Sequence, residues 1–189
     1  MIQFFTNKKL AQAFGLKLAK WKRWSREFLP PDPLGGLQSG YARQYNLDEA
    51  FTVFLGGHLV GDLKFTIPES RQILHDLHQW LLDHGFYFDY SGNANPKNKS
   101  VHPVKNYRIA IISAKDPDFN SPATRYQIKA IITSDSVDFN GIQMQRERFM
   151  ESSIRSPEKE AAPLNADCYR VLNITVLRRN FLGFFEDAI

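Results

Sequence analysis

The sequence predicts an α+β protein in two parts. A helical, basic domain covers residues 1–85, and an antiparallel-sheet α+β domain covers residues 86–189. Three observations lead there. Apolar residues recur at helical spacing as far as His84. Beyond Gly85 the texture changes to short stretches rich in Ile, Ala and Tyr, the residues of a pleated, half-buried surface. Positive charge gathers at the N-terminal end.

The charge is uneven. The chain carries +4 overall, but residues 1–45 hold eight Lys and Arg against Glu27 and Asp32 alone, leaving −2 for the rest. A localised cationic field attracts polyanions and speeds encounter with them. No run of apolar residues is long enough for a transmembrane helix, and the N-terminus lacks a signal-peptide pattern. Cys168 is the sole cysteine, so neither an internal disulfide nor a thiol cluster for metal is available. These features fit a reducing cytoplasm, no membrane and no cofactor.

The first helix falls in Phe5–Gly15, with Leu10, Ala11 and Phe14 on one face and Thr6 or Asn7 as its cap. Gly15 supplies the positive φ of a tight turn between helices. In the second helix Leu18, Trp21 and Trp24 fall at helical spacing, surrounded by Lys17, Lys20, Lys22, Arg23 and Arg26. It ends near Phe28–Leu29, because Pro30, Pro31 and Pro33 cannot continue it. Gly35–Tyr45 reads as a hairpin. Asn46 caps a helix over Leu47–Leu63, which Gly56 and Gly57 weaken by roughly 1 kcal/mol each unless a neighbour packs closely there. Pro68 opens a further helix in its first turn, and Gly85 stops it after His84.

In the second domain Phe86–Tyr90 is strand-like, and Ser91–Val104 is a polar loop. Tyr107–Ser113 and Arg125–Thr133 read as strands, joined by a connection of about ten residues, longer than usual. Val137–Met144 reads as another strand, and Gln145–Ser152 as a short helix or bent extension. Ser153–Asp167 is a charged loop. Tyr169–Leu177 is a strand, and Phe181–Ala188 an apolar end that could be a short helix.

Helix, turn, cationic helix and Gly-rich hairpin follow one another in the order of a winged helix-turn-helix DNA reader. The spaced pattern Thr6, Leu10-Ala11, Gly15-Leu16, Arg23-Trp24, Leu29-Pro30-Pro31, Gly40-Tyr41, Arg43 and Tyr45 resembles the DNA-binding domain of the MerR superfamily. The likeness covers about residues 4–82. It implies that Leu16–Arg26 enters the major groove and that the hairpin is a wing beside the phosphate backbone. Lys17 then stands at the start of the recognition helix. Ala19 and Lys20 fall where the family places polar contacts, Arg23 on a phosphate-touching position, and Arg43 on that of the wing arginine. The chain departs from the family pattern at Lys17, where a small cap is usual, at Ala19, where an arginine is common, and at Ala42, which interrupts Gly-Tyr-Arg. It also lacks the glycine that usually precedes Leu-Pro-Pro, the long dimerising heptad helix and the metal-binding cysteines found in many members.

The expected DNA-binding set is therefore Lys17, Lys20, Lys22, Arg23, Arg26, Gln38, Tyr41 and Arg43. Lys20 and Gln38 can donate to base edges, and the remaining cations position the protein on phosphates. Trp21 and Trp24 fit core packing better than base stacking. Tyr41 and Tyr45 fit wing packing, with Tyr41 also within reach of a phosphate. His75, His78 and His84 on one helix, and His58 four residues before Asp62, fit a solvated surface better than a metal site. Cys168 begins an apolar stretch and reads as a buried thiol. Asp116-Pro117-Asp118 is turn chemistry. No nucleophile elbow, P-loop, dinucleotide fingerprint or paired-carboxylate pattern appears, so no enzyme is expected.

The favoured function is a sequence-specific regulator of transcription acting on double-stranded DNA as a homodimer, since a lone winged unit buries too little for selectivity. The second domain would dimerise, sense a small molecule, or contact a protein. A DNA-holding assembly adaptor, for packaging, excision or segregation, is the alternative, and an enzyme acting on nucleotides comes third. Phe181, Leu182, Phe184 and Phe185 either join protomers or close the core of their own module.

Overall fold

In the computed structural model, residues 4–32, 42–88, 106–115, 122–154 and 169–185 are described. They form an α+β protein with five helices, most of them N-terminal, and a four-stranded antiparallel sheet in the C-terminal half. The chain divides into two compact units. One is Met1–Asn98 together with Arg178–Ile189, and the other is Lys99–Leu177.

The first unit begins with β1 (Phe5–Thr6) and α1 (Asn7–Ala13). Thr6 caps α1, accepting from the Lys9 amide at 3.3 Å. Gly15, at φ +62°, turns the chain into α2 (Leu18–Phe28). Then come β2 (Gln44–Tyr45), α3 (Leu47–Gly61) and α4 (Ile67–Asp83). Asn46 and Thr66 each form a capping box, with Glu49 and Glu69 as the returning carboxylates. Gly85, at φ +68°, follows the end of α4. Strand β2 pairs with β1, so the downstream end of the hairpin stretch is tied to the start of the chain. Residues 33–41, most of the expected wing, lie outside the described residues.

Helix α3 keeps Gly56 and Gly57 because α2 lies against them. A Cβ on Gly56 would strike the Phe28 ring, and one on Gly57 the Trp24 ring. Close approach of two helices thus offsets the weak helix propensity of paired glycines. The core of this unit is aromatic. The Phe14 ring packs against Trp21 at 5.4 Å, Phe54 at 4.9 Å and Phe184 at 5.1 Å. Phe181 and Phe185 are buried here, with Phe185 at 4.8 Å from Phe5 and Phe181 at 5.2 Å from Phe51. The aromatic C-terminal end therefore closes the core of the first unit, not that of the sheet module.

The second unit is a sheet in the order β5-β4-β3-β6, all antiparallel. Its strands are β3 (Asn106–Lys115), β4 (Pro122–Phe139), β5 (Ile142–Ile154) and β6 (Arg170–Leu172). Ile109, Ile111, Tyr126, Ile128 and Leu172 share one face and are buried. Helix α5 (Ile174–Gly183) begins in this unit with Ile174 and Leu177 buried, and from Arg178 onward belongs to the first.

Three sequence expectations change, and one open alternative closes. Phe86–Phe88 is not a strand: the Phe86 amide bonds the Leu81 carbonyl and the Phe88 amide bonds the Asp48 carboxylate, so neither enters a ladder. Val137–Met144 is not one strand but a turn between two, Asn140 and Gly141 both having positive φ (55° and 79°). That is the backbone of a tight hairpin, and it makes Gln145–Ser152 part of β5, the extended alternative and not the helical one. Tyr169–Leu177 holds only a three-residue strand, because Asn173 accepts from the Val176 amide at 3.2 Å and starts α5. Cys168 and Asp116–Asp118 lie outside the described residues. Among the described residues no helix is long and apolar enough to cross a membrane.

Candidate nucleic-acid interface

Helix α2 is strongly two-faced. Trp21, Trp24 and Ser25 are buried, while Leu18, Ala19, Lys20, Lys22, Arg23 and Arg26 are exposed. At about 100° per residue, Lys22, Arg26, Ala19 and Arg23 occupy one continuous stripe opposite the tryptophans. Among the described residues Lys17, Lys22, Arg23 and Arg26 enter no ion pair. Lys20 lies on a flank and leans over the Trp24 ring, 4.6 Å from its centroid. Glu27, the acid of α2, sits on that same flank and is bound by Arg71 of α4, which also donates to the Glu27 carbonyl at 2.7 Å. The stripe is thus left wholly cationic. Arg26 also stands in the last helical turn, where the dipole favours a cation.

Lys17 occupies the N-cap of α2 and makes no side-chain cap bond. Polar caps usually satisfy the first amides of a helix. Here Lys17 adds an exposed charge at that end instead.

Three polar side chains fix the direction in which α2 presents its stripe. The Tyr45 hydroxyl lies 2.7 Å from Ser25 Oγ of α2 and donates to Asn7 Oδ1 of α1, also at 2.7 Å. Its ring meets Trp21 edge-on at 5.7 Å. Burial pushes the Tyr45 phenol above its ordinary pKa, and the Ser25 bond partly offsets this. Tyr45 is thus a packing residue of the unit.

Arg43 is held differently from the cations of α2. Its guanidinium donates to the Pro30 carbonyl at 2.8 Å and to Glu49 Oε1 at 2.9 Å, and its side chain is 15% exposed. It clamps the chain leaving α2 to the capping box of α3. The same guanidinium lies over the Tyr45 ring. Gln38 and Tyr41 lie outside the described residues.

A cleft of about 360 Å³ opens beside the stripe, lined by Thr6, Asn7, Lys8, Leu18, Lys22, Ala42 and Arg43. Lys8 was not among the residues expected from sequence. A signal for it existed: Lys8 and Lys9 stand in the first turn of α1, where the helix dipole disfavours cations. A basic first turn is a local cost that an anionic partner would offset.

The histidines do not converge. His58 pairs with Asp62 at 2.6 Å, while His84 stacks on Trp80 at 4.1 Å and bonds its carbonyl. No group of three His, Cys, Asp or Glu side chains suited to a metal occurs among the described residues. Comparison with protein-family models, with curated proteins and with solved structures finds no match to this chain.

Proposed function

We propose that the first unit binds double-stranded DNA through the outer face of α2 and that the protein regulates transcription as a homodimer. The observation that carries this reading is the stripe of Lys22, Arg23 and Arg26, with Lys17 exposed at the N-cap, on a helix whose opposite face is anchored by buried tryptophans. A helix fixed through aromatics and bare of acids on its outer face fits a major groove, where cations meet phosphates and Ala19 leaves room for close approach. Lys8 and the cleft beside Lys22 provide a seat for the adjoining backbone. Arg43 serves as a clamp on the loop that follows α2 instead of as the main wing contact.

The test is fluorescence anisotropy of the full chain on labelled duplex across a salt series. Contacts from Lys17, Lys22, Arg23 and Arg26 predict a log–log slope of about −3.6 per protomer, at roughly −0.9 for each phosphate. Selection from a random duplex pool should then return a two-part site. A salt-independent affinity, or a pool that never enriches, removes the proposal.

A further inference from the structure

Strands β4 and β5 run beyond the sheet. The register of β3 along β4 ends at Asn106 opposite Ile131, and among the described residues no third strand accompanies Thr133–Arg148. The result is a two-stranded arm closed by the Asn140-Gly141 turn. Direct cross-strand partners share a face, so Thr133, Asp135, Val137 and Phe139 of β4 lie with Arg148, Arg146, Met144 and Ile142 of β5. The opposite face is polar and bonded to itself. Ser136 donates to Gln143 at 3.0 Å, Gln145 to Ser134 at 2.7 Å, and the Gly141 amide to Asp138 at 3.0 Å. Arg108 of β3 ties the base of that face through a two-pronged bond to Glu147, both at 2.8 Å.

The first face is the reverse of what a solvated hairpin carries. Phe139 is 62% exposed, Ile142 64% and Met144 50%. A two-stranded ribbon is marginal in water and needs packing on its apolar side. Exposed clusters of this kind mark interaction sites.

We infer that this face is where two copies of the chain meet, arm stacked on arm about a twofold axis running along the strands. That axis lays β4 of one chain over β5 of the other. Phe139 then meets the partner's Ile142, and Val137 meets the partner's Met144. At the base, Asp135 faces the partner's Arg146, and the symmetry repeats the pair. Within one chain Asp135 and Arg146 are 3.9 Å apart with side chains 55% and 64% exposed, so each keeps capacity for a second partner. The match of charge to opposite charge under the same operation that matches apolar to apolar favours a second copy over a lipid surface or an unrelated protein. This inference rests on the arm alone and holds or fails independently of DNA binding.

Sedimentation of the full chain without DNA tests it. Wild type should run at twice the 21.8 kDa chain mass in the micromolar range. Ile142→Asp, which carries an unpaired charge into the apolar contact, should raise the dimer dissociation constant roughly 100-fold or more. Gln143→Lys, on the opposite face, should leave it unchanged. Two surface variants guard against misfolding. Asp135→Arg and Arg146→Asp should each weaken self-association, yet pair with one another when mixed, because only contact between chains restores opposite charges. Wild type running as a single chain, Ile142→Asp remaining dimeric, or mixed charge variants failing to pair would each overturn the inference. A single chain that floats with anionic vesicles would reassign the face to lipid.

Discussion

Helix α2 and the β4–β5 arm expose opposite kinds of surface. The helix buries its aromatics and presents cations, whereas the arm bonds its polar side chains to one another and presents Phe139, Ile142 and Met144. Each leaves one requirement unmet among the described residues. The stripe lacks counter-charge and the arm lacks apolar cover. Those two deficits call for different partners, a polyanion for the first and a matching apolar face for the second. The proposed DNA-binding function would unite them, since a dimer joined through the arm would carry two copies of the helix to a two-part site.

The contrast predicts where substitutions act. The largest effect belongs to the scaffold under α2. Gly57→Ala should cost about 3 kcal/mol in urea unfolding, the upper end for overpacking, although the same change in a free helix gains about 1. Gly61→Ala, whose Cβ would come no nearer than 4.0 Å to Trp24, should be neutral or gain up to about 1 kcal/mol at this last residue of α3. Equal values at both positions would show that α2 does not rest on the glycine pair.

Next comes the stripe. Arg23→Glu should weaken duplex binding roughly 10-fold at moderate salt without shifting the thermal midpoint, whereas Lys20→Glu, on the flank, should do less. Reversal of that order would move the binding face round the helix. In the arm, Gly141→Ala should cost about 1 kcal/mol, because a side chain is strained at φ +79°. Loss of dimer mass in that variant would confirm that the turn shapes the contact face.

The smallest effect appears only in alkali. Burial raises the phenol pKa of Tyr45, Tyr87 and Tyr107 above 10.0 in the folded chain. Below about pH 10 both states hold neutral phenols and stability is flat with pH; above it the unfolded chain ionises first and stability falls. Urea unfolding between pH 8 and 11 should show this decline, and Tyr45→Phe should make it shallower.

Much of the first unit was legible because its signals are local. Thr6 and Asn46 cap where capping chemistry says they should, Pro68 stands in the first turn of α4, and Gly15 and Gly85 take the positive φ that ends a helix. Trp21 and Trp24 follow the helical period, and their burial was readable from it. The second unit was less legible. Asn140-Gly141 carried a hairpin signal, but the apolar stretch around it read as one unbroken strand. The alternating charges of Gln145–Glu151 suit a helix surface and an edge strand alike. Asn173 decided strand against helix in a stretch whose β-branched residues favoured the former. Two placements depended on long-range packing. Phe181 and Phe185 return to the first unit, and Arg43 turns toward Glu49 and Pro30. No local pattern encodes either choice.

The outer face of α2 is the proposed contact with DNA. The most direct measurement compares the salt dependence of duplex binding for wild type and for the combined Lys22→Gln, Arg23→Gln, Arg26→Gln variant, with circular dichroism confirming that both are folded. A DNA-facing stripe predicts a log–log slope about 2.7 shallower per protomer in the variant, together with a large loss of affinity. An unchanged slope and affinity in a folded variant would contradict it.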